Sequence, residues 1–247
     1  ADPGVLGINA GAGLAVTLFI SFYPTTASAP VYLMPVLAFL GSAGAATLIY
    51  VLSFKKNYGL LPIRMVLVGI AVAAGINAAM IVLQLRLRPE NFQMLQIWLV
   101  GSIWGTSWKY VLALLPWLIV LLPYVFSKSR SLNVLNLGDQ TATGLGTSLE
   151  RSRLGLLAAA VGLTGSCVAV GGGISFVGLI APHLARRLVG PKHEYLLPAS
   201  ALAGGLLVIL GDTLGRWVLQ PAEIPTGIVV AIIGAPYFLY LLSKSRI

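Results

Sequence analysis

Residues 154–187 read LGLLAAAVGLTGSCVAVGGGISFVGLIAPHLARR. No charged side chain occurs from residue 154 to residue 182. A helix crosses the hydrocarbon core of a bilayer with about 20 apolar residues, so this run is too long for one simple span. Gly171, Gly172 and Gly173 interrupt it. Glycine leaves helical geometry at little steric cost. The stretch therefore predicts a helix to about residue 170, a break, and a short helix near 175–188. The run is continuously apolar and does not alternate with period two, which favours helices over the strands of a membrane barrel.

The rest of the chain repeats the pattern. Of its 247 residues, 57% are hydrophobic and 9% are charged, against roughly 25% charged in a soluble domain. That balance excludes a soluble enzyme or nucleic-acid-binding domain despite the net charge of +9, and it excludes disorder. The single Cys167 has no partner for an internal disulfide. Charge-free gaps predict further helices at 65–85 and 110–127, and two more spans fit at 196–217, which carries Asp212 and Arg216, and at 226–243. The long gap after Asp2 is divided by Pro24, Ser28 and Pro30 into helices near 4–23 and 31–54. Segment 91–108 is different. It holds Trp98, Trp104 and Trp108 among Asn91, Gln93, Gln96, Ser102, Thr106 and Ser107. Indole rings favour the membrane–water boundary, so an interfacial or re-entrant segment is expected. The count is then eight helices, one of them short.

Basic residues orient this arrangement. One side collects Lys55, Lys56, Arg64, Lys128, Arg130, Arg151, Arg153, Arg186, Arg187, Lys192, Lys244 and Arg246, which is 12 of the 16 Lys and Arg. The positive-inside tendency makes that side cytoplasmic, with the C-terminus and the 128–153 loop on it. The other side carries Arg86, Arg88, Lys109 and Arg216. The chain opens on Ala1-Asp2-Pro3-Gly4, without Met or a charged leader, and is expected to be the remainder of a longer protein.

Signatures of bond chemistry are missing. The sequence has no HExxH, no GxSxG and no P-loop. No catalytic residue, metal ligand set or intrinsic ATPase is expected. His183 and His193 have no Cys or acid at ligand spacing. His183, after Pro182, is read as an interfacial histidine. The 128–153 loop alternates Leu132, Leu135, Leu137 and Leu145 with Gly138, Gly144 and Gly146. Short helices punctuated by glycine fit this pattern. Its apolar stripe suits a docking surface for another protein or a loop folded on its own bundle, and both readings stay open. Asp212 and Arg216 share a helix face, four residues apart. An ion pair holding the helix end is the favoured role for Asp212. Arg216 lies on the sparsely charged side, where a cation can meet an acidic soluble partner or be neutralised by Glu223. Gly7 with Gly11, Gly41 with Ala45, and Gly204 with Val208 stand at helix-packing spacing. Asn77, in the middle of the 65–85 helix, is expected to hydrogen-bond another helix, with an aqueous path as the sharper alternative.

The run from Gly173 to Arg187 resembles the signature of the FecCD-type permeases. The resemblance continues through Leu197–Ser200, Gly211–Arg216, Glu223–Gly227 and Gly234–Phe238. It also covers Ala1–Gly7, Trp98–Ser102, Leu137–Asp139 and Leu145-Gly146, in the family's order over almost the whole chain. One departure is Gly172-Gly173-Ile174-Ser175, where a small-Gly-Pro/Ala-Ile-Gly run is more usual.

The resemblance implies an all-α polytopic fold, that of a type II ABC importer transmembrane domain, with about eight of ten helices in this chain. It implies a single permease domain over 1–247, carrying the 128–153 coupling loop. Leu137, Gly138, Asp139, Ala142, Leu145 and Gly146 would couple to an ATP-binding subunit, and Arg216 would dock an extracytoplasmic substrate-binding protein. A second permease subunit, a copy or a paralogue, would complete the path. No cofactor would be bound here, with ATP and Mg on the partner subunit. Nucleic acid is not a partner. The setting implied is the bacterial inner membrane, multi-pass. The cargo implied is a metal chelate, first an iron(III)-siderophore, with haem and cobalamin behind. An ion-coupled secondary transporter is the competing class. It would need acids or half-helix ends at the midplane, and Asp212 is its one candidate.

Overall fold

The computed structural model describes residues 7–22, 33–55, 59–60, 62–144, 149–218 and 223–244. Among them the chain forms α1 (Ile8–Phe22), α2 (Leu33–Ser53), α3 (Pro62–Gln84), α4 (Pro89–Val100), α5 (Trp108–Ser127) and α6 (Ser129–Leu135). There follow α7 (Asp139–Gly144), α8 (Leu149–Gly171), α9 (Val177–Val189), α10 (His193–Val218) and α11 (Thr226–Lys244). The one strand pairing among the described residues is a two-residue antiparallel hairpin, β1 (Phe54–Lys55) with β2 (Gly59–Leu60), between α2 and α3.

Five helices are long and apolar enough to cross a membrane: Leu33–Ser53, Ile63–Gln84, Trp108–Ser127, Leu149–Gly171 and His193–Val218. Ile8–Phe22 and Thr226–Tyr240 are shorter apolar helices. Four helices begin earlier than the predicted spans: α3 at Pro62, taking in Arg64, and α5 at Trp108, taking in Lys109, are joined by two more. α8 starts at Leu149 and includes Glu150, Arg151 and Arg153, and α10 starts at His193. Gaps between charges delimit what lipid can cover, whereas a helix continues into the aqueous layer where its charged first turn is solvated.

Segment 91–108 resolves into two parts. α4 has 12 residues, or about 18 Å at 1.5 Å per residue, too short for a hydrocarbon core of ~30 Å. Pro89 opens it, and Gly101, at φ 93°, ends it. Residues 101–107 then return without helix to Trp108. Leu95 anchors α4 in the main core, fully buried with Ala12, Val16 and Ile20 of α1, Ala38 of α2, and Val168 and Ala169 of α8.

Small residues set the helix spacing. A Cβ on Gly11 would run into Ala45 and the Gly41 carbonyl, and one on Gly41 would meet the Gly11 carbonyl and Ala15. Lipid is as apolar as a leucine, so close backbone approach and dispersion hold such pairs together rather than escape from water. On the outside the order of a soluble protein is inverted. Leu112, Val120, Leu202, Leu206 and Ile209 are all exposed, and α5 buries no residue at all.

The α1–α2 contact yields a direct test. Gly11→Leu should cost about 1–3 kcal/mol by overpacking and lower the melting temperature in detergent by several degrees. Gly44, one face away with open space beside it, should accept leucine with roughly no change. Equal losses at the two positions would contradict the packing.

Candidate functional site

Three helix ends meet at the break foreseen in the 154–187 run. α8 ends at Gly171, residues 172–176 are non-helical, and α9 begins at Val177. The C-terminal end of α4 and the first turn of α11 arrive at the same place. Ser102 N–H donates to the Gly171 carbonyl at 3.0 Å, Gly173 N–H to the Trp98 carbonyl at 3.4 Å, and Gly227 N–H to the Gly101 carbonyl at 2.9 Å. Each helix end has unsatisfied backbone groups, and in lipid these cost several kcal/mol apiece. Here some of the ends satisfy one another. The approach is so close that a Cβ on Gly101, Gly172, Gly173 or Gly227 would meet backbone atoms of the facing segment. Phe176 caps the start of α9 at φ 68°, a left-handed conformation that is an outlier for a bulky side chain. Its Cβ and ring sit against Gly234 of α11.

Beside this junction lies a cavity of about 610 Å³ whose wall includes Asn9, Asn77, Leu99, Gly173, Ser175 and Phe176. Asn77 is exposed on α3. The expected hydrogen bond from Asn77 to another helix is not formed among the described residues; its amide faces open space at the cavity wall. A helix too thinly covered at this point offers it no partner: α3 has no buried residue in this turn before Met80. Asn9 Oδ1, on the same cavity, is buried and also lacks a partner.

The polar cluster at the far end of α10 joins two helices. Arg216 Nε donates to Asp212 Oδ2 at 2.7 Å. Asp212 Oδ1 accepts from the buried Thr226 hydroxyl at 3.0 Å. Asp212 thus ties the C-terminal end of α10 to the start of α11. Arg216 remains half open, with 47% of its side chain exposed against 16% for Asp212. It pairs with Asp212, and no ion pair to Glu223 forms among the described residues.

At the opposite end of α10 stands the loop between α5 and α8. It contains the two short helices α6 and α7, joined through Gly138 at φ 95°. Ala142 is completely buried, while Leu137 is 62% exposed. Asp139 opens α7. Leu145 and Gly146 lie outside the described residues. The loop is therefore fastened to its own bundle on one side and open on the other. Asn133 of α6 provides a fastening. Its Oδ1 accepts from His193 N–H at 2.9 Å and lies 2.8 Å from His193 Nδ1, and its Nδ2 donates to Glu194 Oε2 at 2.8 Å. Next to it a second cavity of about 610 Å³ is lined by Asn133, Asn136, Leu137, Lys192, Glu194 and Tyr195. Among the described residues no group of His, Cys, Asp and Glu is gathered as a metal site.

The sequence signals pointed to the Asp212–Arg216 pair, which the structure forms, but missed Thr226, Gly227, Phe176 and Asn133. Thr226 and Gly227 were visible only as part of a resemblance. Asn133 sits in a polar loop, and no spacing rule connects it with residues 60 positions away.

Comparison with known proteins agrees along the whole chain. A model of the FecCD transport family matches residues 1–244. The iron(3+)-hydroxamate import system permease protein FhuG of Bacillus subtilis is 52% identical over 250 aligned residues, covering 100% of this chain and 74% of that protein. The Fe(3+) dicitrate transport system permease protein FecD of Escherichia coli is 40% identical, covering 100% of this chain and 75% of that protein. A solved structure assigned to a metal-chelate type ABC transporter in an inward-facing conformation superposes with a TM-score of 0.88 at 30% identity, over 99% of this chain and 76% of that one. With its broken helix, its short α4 and its apolar spans, the chain belongs to the FecCD transport family.

Proposed function

We propose that this chain is the membrane-spanning permease subunit of an ATP-driven importer that carries an iron(III)-siderophore into the cytoplasm by alternating access. The observation that carries the reading is the family match over residues 1–244, joined to 52% identity with a ferric hydroxamate permease. Haem is the cargo named for a more distant relative, the Yersinia pestis hemin permease HmuU, at 38% identity, so a hydroxamate-type chelate is the first choice.

The chain supplies no bond chemistry in this reading. Two permease subunits, copies or paralogues, enclose the path, and two ATP-binding subunits dock on the α6–α7 side with ATP and Mg on them. Leu137, Gly138, Asp139, Ala142, Leu145 and Gly146 receive their motion. Closure of the ATPase pair rocks the helices between inward and outward access, a two-state change of the hinge and shear kind. The cavity sets Asn9, Asn77 and Ser175 in an otherwise apolar wall beside the broken helix, the place where transporters expose backbone and side-chain dipoles to cargo. Arg216, half open at the outer end of α10, receives an acidic face of the binding protein. The C-terminus and the basic loops face the cytoplasm.

An ion-coupled mechanism is less well supported. Glu90, Glu150, Glu194 and Asp212 all stand near helix ends, and Asp212 is already engaged by Arg216 and Thr226. Proteoliposomes holding the full complex distinguish the two mechanisms. Uptake of radioiron as a ferric hydroxamate should require ATP and binding protein and should persist when a protonophore collapses the proton gradient. Uptake driven by the gradient without ATP would reject the proposal. Arg216→Glu should weaken binding-protein docking about tenfold, or ~1.4 kcal/mol, at low ionic strength, where charge complementarity matters most. An unchanged dissociation constant would remove Arg216 from the docking face.

A further inference from the structure

We propose that Asn133 is a positioning residue that makes the α6–α7 segment and α10 move as one body, so that displacement at the ATPase-facing side reaches the Asp212–Arg216–Thr226 cluster. The inference rests on the permease reading above and adds the route by which motion crosses the membrane.

The geometry is specific. The Asn133 amide uses both of its ends on α10. Its oxygen takes the backbone N–H of His193 and, with Nδ1 protonated, the imidazole as well; its nitrogen donates to Glu194. His193 N–H belongs to the first turn of α10, where the helix itself offers no acceptor. Pro198 brings no N–H to the carbonyl of Glu194, four residues earlier, so this turn has less of its own helix to hold it and relies more on α6. α6 also packs on α10 more extensively than on α5 or α7, its neighbours in sequence.

From that clamp α10 runs unbroken for 26 residues, about 39 Å. At its far end Asp212 grips Thr226, the first residue of α11, and Arg216. One continuous helix therefore joins the side that receives the ATPase stroke to the side that meets the binding protein. Coupling needs a connected element that both ends can bias, and α10 has a polar fastening at each end.

The test reads uptake per ATP hydrolysed in proteoliposomes of the full complex. A merely structural loss would reduce the amount of complex and scale uptake and hydrolysis together, leaving the ratio unchanged. Asn133→Ala should lower the ratio about fivefold. Asn133→Asp should do the same, because its carboxylate faces Glu194. The double change Asn133→Asp with Glu194→Gln should bring the ratio back to within about twofold of wild type, since the new amide donates to the new carboxylate while His193 N–H keeps its acceptor. An unaltered ratio in Asn133→Ala, or a double variant no better than Asn133→Asp, would overturn the clamp. A covalent check covers the case of poor assembly. In a Cys167→Ser background, Asn133→Cys with Glu194→Cys joined by a short bismaleimide should regain coupling. A tether that blocks transport would show that α6 and α10 must separate, and would overturn the proposal. No ATP-dependent uptake by the wild-type complex would instead overturn the permease reading, and the clamp as a coupling device with it.

Discussion

A backbone N–H or C=O in a lipid interior has no water to turn to. That constraint governs the most irregular part of this molecule. α4, α8 and α11 all end or begin at one level, and each presents unpaired backbone there. They pair with one another through Ser102, Gly173 and Gly227. The pairing requires backbones to touch, and touching requires glycine at 101, 172, 173 and 227. A helix broken at this place would be unstable alone. Three broken ends meeting together supply part of what each lacks, and a short helix such as α4 is retained because Leu95 pins it to the core.

The same junction gives the molecule its open spaces. Irregular backbone leaves room that continuous helices would fill, and the cavity with Asn9, Asn77 and Ser175 opens beside it. Phe176, held left-handed at the start of α9, marks the point where the chain is least relaxed. Strain of this kind persists when neighbours over-determine it, and here Gly234 of α11 is packed against the Phe176 side chain. Of the two polar fastenings of α10, the one at Asn133 lies away from the junction, whereas Thr226, which Asp212 holds, adjoins Gly227 in the junction itself.

Much of this was legible in the sequence because membrane helices advertise themselves by length and by the absence of charge. The break at Gly171–Gly173, the non-crossing 91–108 segment and the short helices of the 128–153 loop all followed from local composition. What stayed hidden is contact between distant segments. Gly101 and Gly227 look like any loop glycine until the facing carbonyls are known. Asp212 and Arg216 were readable as a pair because they lie four residues apart, whereas Thr226, their third member, comes from the next helix. Asn77 was expected to bond a neighbouring helix, but sequence alone does not tell which face of an apolar helix is left uncovered. Helix starts were misjudged at 62, 108, 149 and 193 for a simpler reason: charge limits the lipid-covered span, not the helix.

The mutual dependence of the three ends is open to measurement by amide hydrogen exchange on the protein in nanodiscs, comparing wild type with Gly227→Ala. The added methyl would press on the Val100 carbonyl and displace the α4 end. Faster exchange should then appear in segments 98–102 and 171–173, far from residue 227 in sequence, as well as in 226–228. Faster exchange confined to 226–228 would contradict the account, because each end would then be holding its backbone without the others.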